Sequence, residues 1–586
     1  MLGKIIGIEE NKVLVKLDIN IYEIANIIGK NVIFVEGENK IIGEITNINN
    51  GIATITLVGE IVNNNFIYGD INKPSFASSV KLITNEELDI IFRNNNNNSI
   101  ILGNSFVYRN YQIKLDINTF FSNHFAILGN TGSGKSYSVA KIIQSIFYQA
   151  NKLPYRTNIF LFDAYGEYQR AFNNIGDYNE NINYKVYTTN VKSTTNEIVK
   201  IPFWLLGVDD IALLLNANNQ AQIPIIEKAL KLVAYFAKNE ETVIKQKNDI
   251  IARCLLDTIF ALDQPHEVRN KVISILSKFH TKDLNLELPL VKGGWSRTLR
   301  QCLYIDEHGK IADIESVITY LESLIGDDFE LTFPDGSFSY TLNDFATALE
   351  FALVSEGTLN SDHIYDYANI LKVRLNTIIN SEYATYFDFP TYINRENYIK
   401  WLLTTNEGRK VQVINFNINY VDDRFAKTLV KIYSKLLFDY IVTLKKRASL
   451  PFHIVLEEAH RYVQNDTDTN VIGYNIFDRI TKEGRKYGLI LGLISQRPSE
   501  ISETAISQCS NFLIFKMFHP KDLTFINAII PNAEGSIISK LKTLHPGTCM
   551  IFGNAFRMPV LVTLDKPNPE PMSSNADINK SWYIDQ

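Results

Sequence analysis

Gly129-Asn-Thr-Gly-Ser-Gly-Lys-Ser136 stands between the apolar run Phe125-Ala-Ile-Leu and the helical pattern Tyr137-Ser-Val-Ala-Lys-Ile-Ile-Gln-Ser-Ile-Phe. A strand, a glycine-rich turn and a helix in that order place backbone N–H groups and a helix N-terminus around one point, which suits a bound phosphate. Glycines at 129, 132 and 134 let the backbone approach closely, so Asn130, Thr131, Gly132, Ser133 and Gly134 are the expected cradle. Lys135 is expected to neutralise the β- and γ-phosphates, Ser136 to ligate magnesium through its hydroxyl, and Tyr137 to lie beside the nucleotide. The cofactors implied are therefore ATP and magnesium.

Three further apolar runs end in polar residues. His453-Ile-Val-Leu leads into Glu457 and Glu458, Ile159-Phe-Leu-Phe into Asp163, and Leu489-Ile-Leu-Gly-Leu-Ile-Ser into Gln496 and Arg497. Continuous apolar runs alternating with helical patterns predict a parallel sheet covered on both faces. In such a sheet ligands sit outside the carboxyl ends of the strands, so these residues are expected in one crevice with the phosphate loop. Glu457 is the expected metal carboxylate, by direct or water-mediated contact, and Glu458 the group that polarises an attacking water. Gln496 would orient that water or sense the γ-phosphate. Asp163, with Glu167 four residues on, either meets the nucleotide or caps its own turn. Gly484-Arg485-Lys486-Tyr487-Gly488, between a helix pattern and a strand, reads as helix-end dipole complementation or as an arginine that stabilises transferring phosphoryl charge from a neighbouring subunit.

The remaining sequence sets the frame. At 586 residues, 46% hydrophobic and 21% charged, the chain exceeds what one core supports and predicts two or three globular domains. Lys12-Val-Leu-Val-Lys-Leu, Asn31-Val-Ile-Phe-Val and Ile52-Ala-Thr-Ile-Thr-Leu-Val are short strand patterns, which predict an N-terminal β-barrel over 1–93. Five consecutive asparagines at 94–98 mark the boundary. The expected architecture is α/β: a RecA-like P-loop core over 99–204 and 401–565, a helical insertion over 205–400, and a strap-like or disordered tail over 566–586. Four isolated cysteines, Cys254, Cys302, Cys509 and Cys549, predict buried reduced thiols and no zinc site. Glu9 and Glu10 interrupt any signal-peptide core, and no run is long enough to span a membrane, so a cytoplasmic protein is expected. The formal charge of −6 excludes a surface coated by nucleic acid and restricts any DNA contact to a local lining.

Together these motifs, with Pro202-Phe-Trp-Leu-Leu, Leu456-Glu-Glu-Ala-His-Arg and Ser495-Gln-Arg-Pro-Ser-Glu-Ile-Ser, resemble the HerA/FtsK superfamily of ring-forming ATPases, most closely its HerA branch. The resemblance implies a homohexamer with ATP at subunit interfaces, double-stranded DNA in the channel, and Arg485 acting in trans. It also implies a second arginine from the C-terminal part of the core, for which Arg497 and Arg557 are both candidates. Tyr165 occupies the place of the family's histidine. Partners implied are a NurA-like nuclease or, in antiphage systems, a sirtuin-like NADase or nuclease. Two functions follow: a DNA translocase or helicase, or a ring that assembles and regulates an effector enzyme. A small-molecule P-loop kinase leaves Arg485 and the Gln496-Arg497-Pro498 stretch without a task.

Overall fold

Strict alternation of buried and half-buried residues along Ile52–Val62 sends Ala53, Ile55 and Leu57 into one core, as a strand with one covered face requires. In the computed structural model this strand belongs to a seven-stranded antiparallel sheet ordered Gly3–Ile8, Lys12–Leu17, Ile52–Val62, Asn39–Asn49, Asn31–Glu36, Ser79–Leu82, with Asn65–Tyr68 pairing Ile52–Val62. The order is an open path. Where the sequence predicts a β-barrel the structure shows a half-barrel sheet, with one backbone hydrogen bond, Leu2 N–H to Val80 O at 2.8 Å, between its two ends. Ser79–Leu82, four residues long, is too short to supply a full seam. The structure describes residues 1–18, 27–69, 72–92, 98–149, 152–237, 240–261, 264–292, 294–326, 339–357, 362–465, 468–530, 535–573 and 578–582. Most of the asparagine run lies outside them.

The chain forms two compact units, 1–188 with 399–465 and 476–586, and 189–398 with 466–475. The first contains the half-barrel and a mixed α/β sheet. Its parallel strands run in the order Tyr184–Thr188, Val413–Asn417, Ile159–Asp163, Phe452–Leu456, Leu489–Ser495, Phe125–Leu128, Asn511–Ile514. Antiparallel strands Thr548–Gly553, Phe556–Leu564, Ser99–Ser105 and Gln112–Asp116 extend it. Every residue of Ile159–Asp163, Phe452–Leu456, Leu489–Ser495 and Phe125–Leu128 is buried, which explains their unbroken apolar character. These four motif-bearing strands are consecutive neighbours.

Two helices show how the cover is held. Lys135–Phe147 buries Val139, Ile142, Ile143 and Ile146, and Asp423–Val442 starts at Asp422, whose carboxylate accepts from the N–H groups of Arg424 and Phe425. The tail is a strap along the first of these. Gln144 donates to Pro569 O at 2.8 Å and accepts from Asn568 N–H at 2.9 Å, while Tyr137 donates to Glu570 at 3.0 Å.

The second unit is mainly helical, with Gln222–Phe236 packed on Leu342–Gly357 and an aromatic cluster of Phe236, Phe279 and Phe351. Phe203 of the Pro202-Phe-Trp-Leu-Leu stretch is fully buried against Tyr340, Phe345 and Phe387, so that stretch serves packing. All four cysteines are buried and free. Among the described residues no helix is long and apolar enough to cross a membrane.

Candidate nucleotide site

Gly129 and Gly134 are the two positions where only glycine serves. Gly129 has φ +158°, and a Cβ there would lie 2.5 Å from Phe515 Cβ; Gly134, with φ +115°, starts the helix and faces Gly547 N at 3.1 Å. The loop is closed by Ser133 Oγ donating to Asn130 O at 2.7 Å and Lys135 Nζ donating to the same oxygen at 3.1 Å. Thr131 Oγ1 donates to Gln496 Oε1 at 2.5 Å, joining the phosphate loop to the end of the Leu489–Ser495 strand. The two regions are 365 residues apart in sequence and are adjoining strand ends in space.

Lys135 is buried. Burial lowers its pKa, and Glu458, Glu457 and Glu167 pull it back, in that order. All three carboxyls are pushed above the usual carboxylate range, in each case first by burial. Glu457 is raised furthest, with Asp163 and Glu167 adding their repulsion, and its Oε2 accepts from Ala164 N–H at 3.1 Å. Glu458 adopts the left-handed conformation, φ +50° and ψ +47°, which a glutamate takes only under constraint. Its carboxyl is drawn down by Lys135 and Arg461, and it too accepts from the Gln496 backbone.

Asp163 caps its own turn. Its Oδ1 accepts from the N–H groups of Tyr165, Gly166 and Glu167, and its Oδ2 from Tyr168 N–H and Asn415 Nδ2, at 2.7 to 3.3 Å. Both oxygens thus accept from the turn, which is the second of the two readings that the sequence offered, and Asp163 caps the segment that carries Glu167. Glu167 is the residue that the sequence reading undervalued: it takes a hydrogen bond from the Ser136 hydroxyl. The Asp-x-x-Gly-Glu spacing was the available signal.

The donor set fits magnesium. Ser136, Glu457 and Glu167 offer hard oxygen ligands, and Glu167 Oε2 is buried with no hydrogen-bond partner. Among the described residues no group of three or more His, Cys, Asp or Glu forms a protein-only cage. That suits an ion that keeps waters and phosphate oxygens in its shell.

The arginines separate. Arg497 follows Gln496 at the strand end, exposed, and pairs with Glu500 at 3.2 Å. Arg557 donates to Ile90 O at 3.1 Å and Asn65 Oδ1 at 3.4 Å, tying the Phe556–Leu564 strand to the helix Asn85–Phe92 and the strand Asn65–Tyr68. Arg485 lies before the amino end of the Leu489–Ser495 strand and donates to Asn123 Oδ1 at 3.0 Å. Seven strand residues separate it from Gln496, about 20 Å. It does not reach the phosphate loop of its own chain. Tyr165 is half-exposed beside Arg461 and Glu458.

The carboxyl cluster predicts a stability trade. A carboxyl with raised pKa binds its proton more tightly folded than unfolded, so stability falls as pH rises from about 4.5 toward the folded value. Glu457→Gln keeps an acceptor for Ala164 and removes the charge. In nucleotide-free and magnesium-free protein its melting temperature should match the parent near pH 4 and exceed it at pH 8, by about 2–4 °C per kcal/mol relieved. A variant less stable than the parent at both pH values would refute this.

Residues 100–287 match the family model described as the central domain of helicase HerA. The DNA double-strand break repair helicase HerA of Sulfurisphaera tokodaii is 23% identical over 516 residues, 87% of this chain and 77% of that one. The corresponding protein of Pyrococcus furiosus is 21% identical over 88% of this chain and 77% of that one. Among solved structures, the bacterial conjugative coupling protein TrwBdeltaN70 aligns with TM-score 0.45 at 9% identity, covering 84% of this chain and 94% of that one. The phosphate loop and the carboxylates that follow the Phe452–Leu456 strand stand on either side of the Leu489–Ser495 strand, and with these matches they support a HerA-type ATPase.

Proposed function

We propose that the chain is the subunit of a homohexameric ring that hydrolyses ATP between subunits and uses the energy to move or unwind double-stranded DNA. The observation that carries this reading is the division of hydrolytic groups across one sheet. Lys135, Glu457, Glu458 and Gln496 gather at the carboxyl edge, whereas Arg485 stands at the opposite edge. A chain so built carries both halves of a site that two chains would assemble, and a heterologous contact of this kind gives a ring when its rotation closes. DNA enters as the substrate through the relatives, which are named as DNA double-strand break repair helicases.

The chemistry follows from the residues. N–H groups of Thr131 to Gly134 hold the phosphates, and Lys135 turns from its three carboxylates to the β- and γ-oxygens. Ser136 and Glu457, with Glu167 alongside, would hold a magnesium ion, which would supply charge to offset that of the phosphates. Glu458 takes the proton of a water that Gln496 orients toward the γ-phosphorus. The bond to the bridging oxygen breaks, and ADP and phosphate leave. Arg485 of the next subunit stabilises the charge that develops on the γ-phosphoryl group. Arg497, at the strand end with Gln496, is the second arginine on the phosphates.

Duplex DNA should bind the assembled ring and raise its ATP turnover severalfold, with a steep loss of binding as salt increases. A ring that hydrolyses ATP yet neither binds duplex DNA nor responds to it would contradict the motor. The net charge of −6 favours a second reading, in which the ring assembles and regulates an effector such as a NurA-like nuclease or a sirtuin-like NADase. Effector activity that follows nucleotide state without DNA would support it.

A further inference from the structure

Prolines occupy every second position of Pro567-Asn568-Pro569-Glu570-Pro571, so this part of the tail has little backbone freedom to lose when it lies down on a surface. Pro567 and Pro571 are buried, and the residues between and after them carry the polar contacts. Gln144 is the first anchor. It is 2% exposed, its Oε1 accepts from Asn568 N–H at 2.9 Å, and its Nε2 donates to Pro569 O at 2.8 Å and to Ala171 O at 2.9 Å. One side chain of the helix Lys135–Phe147 thus joins the tail to the helix Gln169–Phe172, which follows Glu167 directly in the chain after Tyr168. Further along, the Tyr137 hydroxyl donates to Glu570 Oε2 at 3.0 Å, and Met572 N–H donates to Glu167 O at 2.8 Å. The contacts run from near the end of the phosphate-loop helix to its first turn and finish on Glu167. Both backbone groups of Glu167 are then held, its N–H by Asp163 Oδ1 at 3.0 Å and its carbonyl by Met572. Burial raises the Glu167 carboxyl, and the hydroxyls of Ser136 and Ser573 draw it back.

We infer that residues 567–572 are a positioning strap of the nucleotide site: they tie the segment carrying Glu167 to the helix carrying Ser136, and so hold Glu167 where a magnesium ion arriving with nucleotide would meet it. Linkage makes the effect reciprocal. A seated strap that favours the ion is itself favoured by the ion, by the same factor. The inference rests on the reading that Glu167 stands beside the magnesium ion.

The test uses the full chain with Met572→Pro, Gln144→Leu and Glu167→Gln. Met572 is exposed, and proline there removes the N–H that meets Glu167 without disturbing a packed side chain. Gln144→Leu keeps an apolar side chain of similar size and removes the first anchor. Without magnesium, in EDTA, a fluorescent ATP analogue should bind both variants within about twofold of the parent. The magnesium concentration that tightens this binding should rise about tenfold, as when a group supporting a metal ligand is lost. In the parent, amide exchange of the peptide around Met572 should slow about tenfold when magnesium joins the bound analogue, the same factor read from the strap. An unchanged magnesium midpoint in both variants, or exchange at Met572 indifferent to magnesium, would overturn the inference. So would equal weakening with and without magnesium, which marks a general packing role. Glu167→Gln separates the two claims: a parental magnesium midpoint in that variant removes the underlying reading, whereas a raised midpoint there beside unaffected Met572→Pro and Gln144→Leu removes only the strap.

Discussion

Replacing Lys135 by alanine should lower ATP turnover by at least about a thousandfold, roughly 4 kcal/mol in the barrel of the reaction barrier at 1.4 kcal/mol per decade. The ammonium is buried and meets Glu458, Glu457 and Glu167 when no phosphate is present, so it is already desolvated where phosphate oxygens will arrive. The arginines on the same side do not take its buried position, since Arg497 is exposed and paired with Glu500 and Arg461 is paired with Asp423, while Arg485 is at the other edge of the sheet. A fluorescent ATP analogue should bind at least tenfold more weakly, because one charge contact to the β- and γ-phosphates is gone. The same substitution leaves three carboxyls without their cation, so the nucleotide-free protein should melt lower at pH 8 than the parent. Phosphate release within tenfold of the parent would show that Lys135 does not hold the nucleotide.

Arg485→Ala should behave differently. Removal of an arginine that acts from a neighbouring subunit costs about 10³ to 10⁵ in turnover while ATP binding within one chain persists. Its side chain is anchored on Asn123, whose own Nδ2 donates to Thr119 O at 2.9 Å, so the guanidinium stem has a defined root at the sheet's amino edge. The analogue should therefore bind Arg485→Ala within about threefold of the parent while phosphate release falls to the level of Lys135→Ala. Loss of binding and turnover together would mean that Arg485 supports the fold of its own chain.

How much of this was legible in the sequence depended on what constrains each residue. The phosphate loop was legible because a Cβ at Gly129 would collide with Phe515 and Gly134 holds φ +115°, a left-handed value that favours glycine. Phe125–Leu128, Ile159–Asp163, Phe452–Leu456 and Leu489–Ser495 were legible because both of their faces are covered. Val413–Asn417 was not, because Asn415 and Asn417 break the apolar run. Asn415 is fully buried and donates to Asp163 and the Tyr184 hydroxyl, partners that the sequence places far away. Asp163 kept two readings, ligand or cap, because its partners are mostly backbone N–H groups, which carry no side-chain signature. Arg557 looked equivalent to Arg497 until the half-barrel supplied Ile90 and Asn65 as its acceptors. The tail showed only its prolines, and the Gln144 side chain that holds the strap sits within an ordinary helical pattern.

The central claim is that one chain's Lys135 and Glu458 work with the next chain's Arg485, and mixing two inactive variants tests it. Glu458→Gln and Arg485→Ala subunits, denatured together or coexpressed at equal ratio and assembled into rings, should recover roughly one quarter of parental turnover. In a head-to-tail ring with random order, that is the share of interfaces pairing an intact Glu458 with an intact Arg485. Mixed rings as inactive as either variant alone, with assembly and nucleotide binding intact, would place Arg485 outside the shared site and contradict the account.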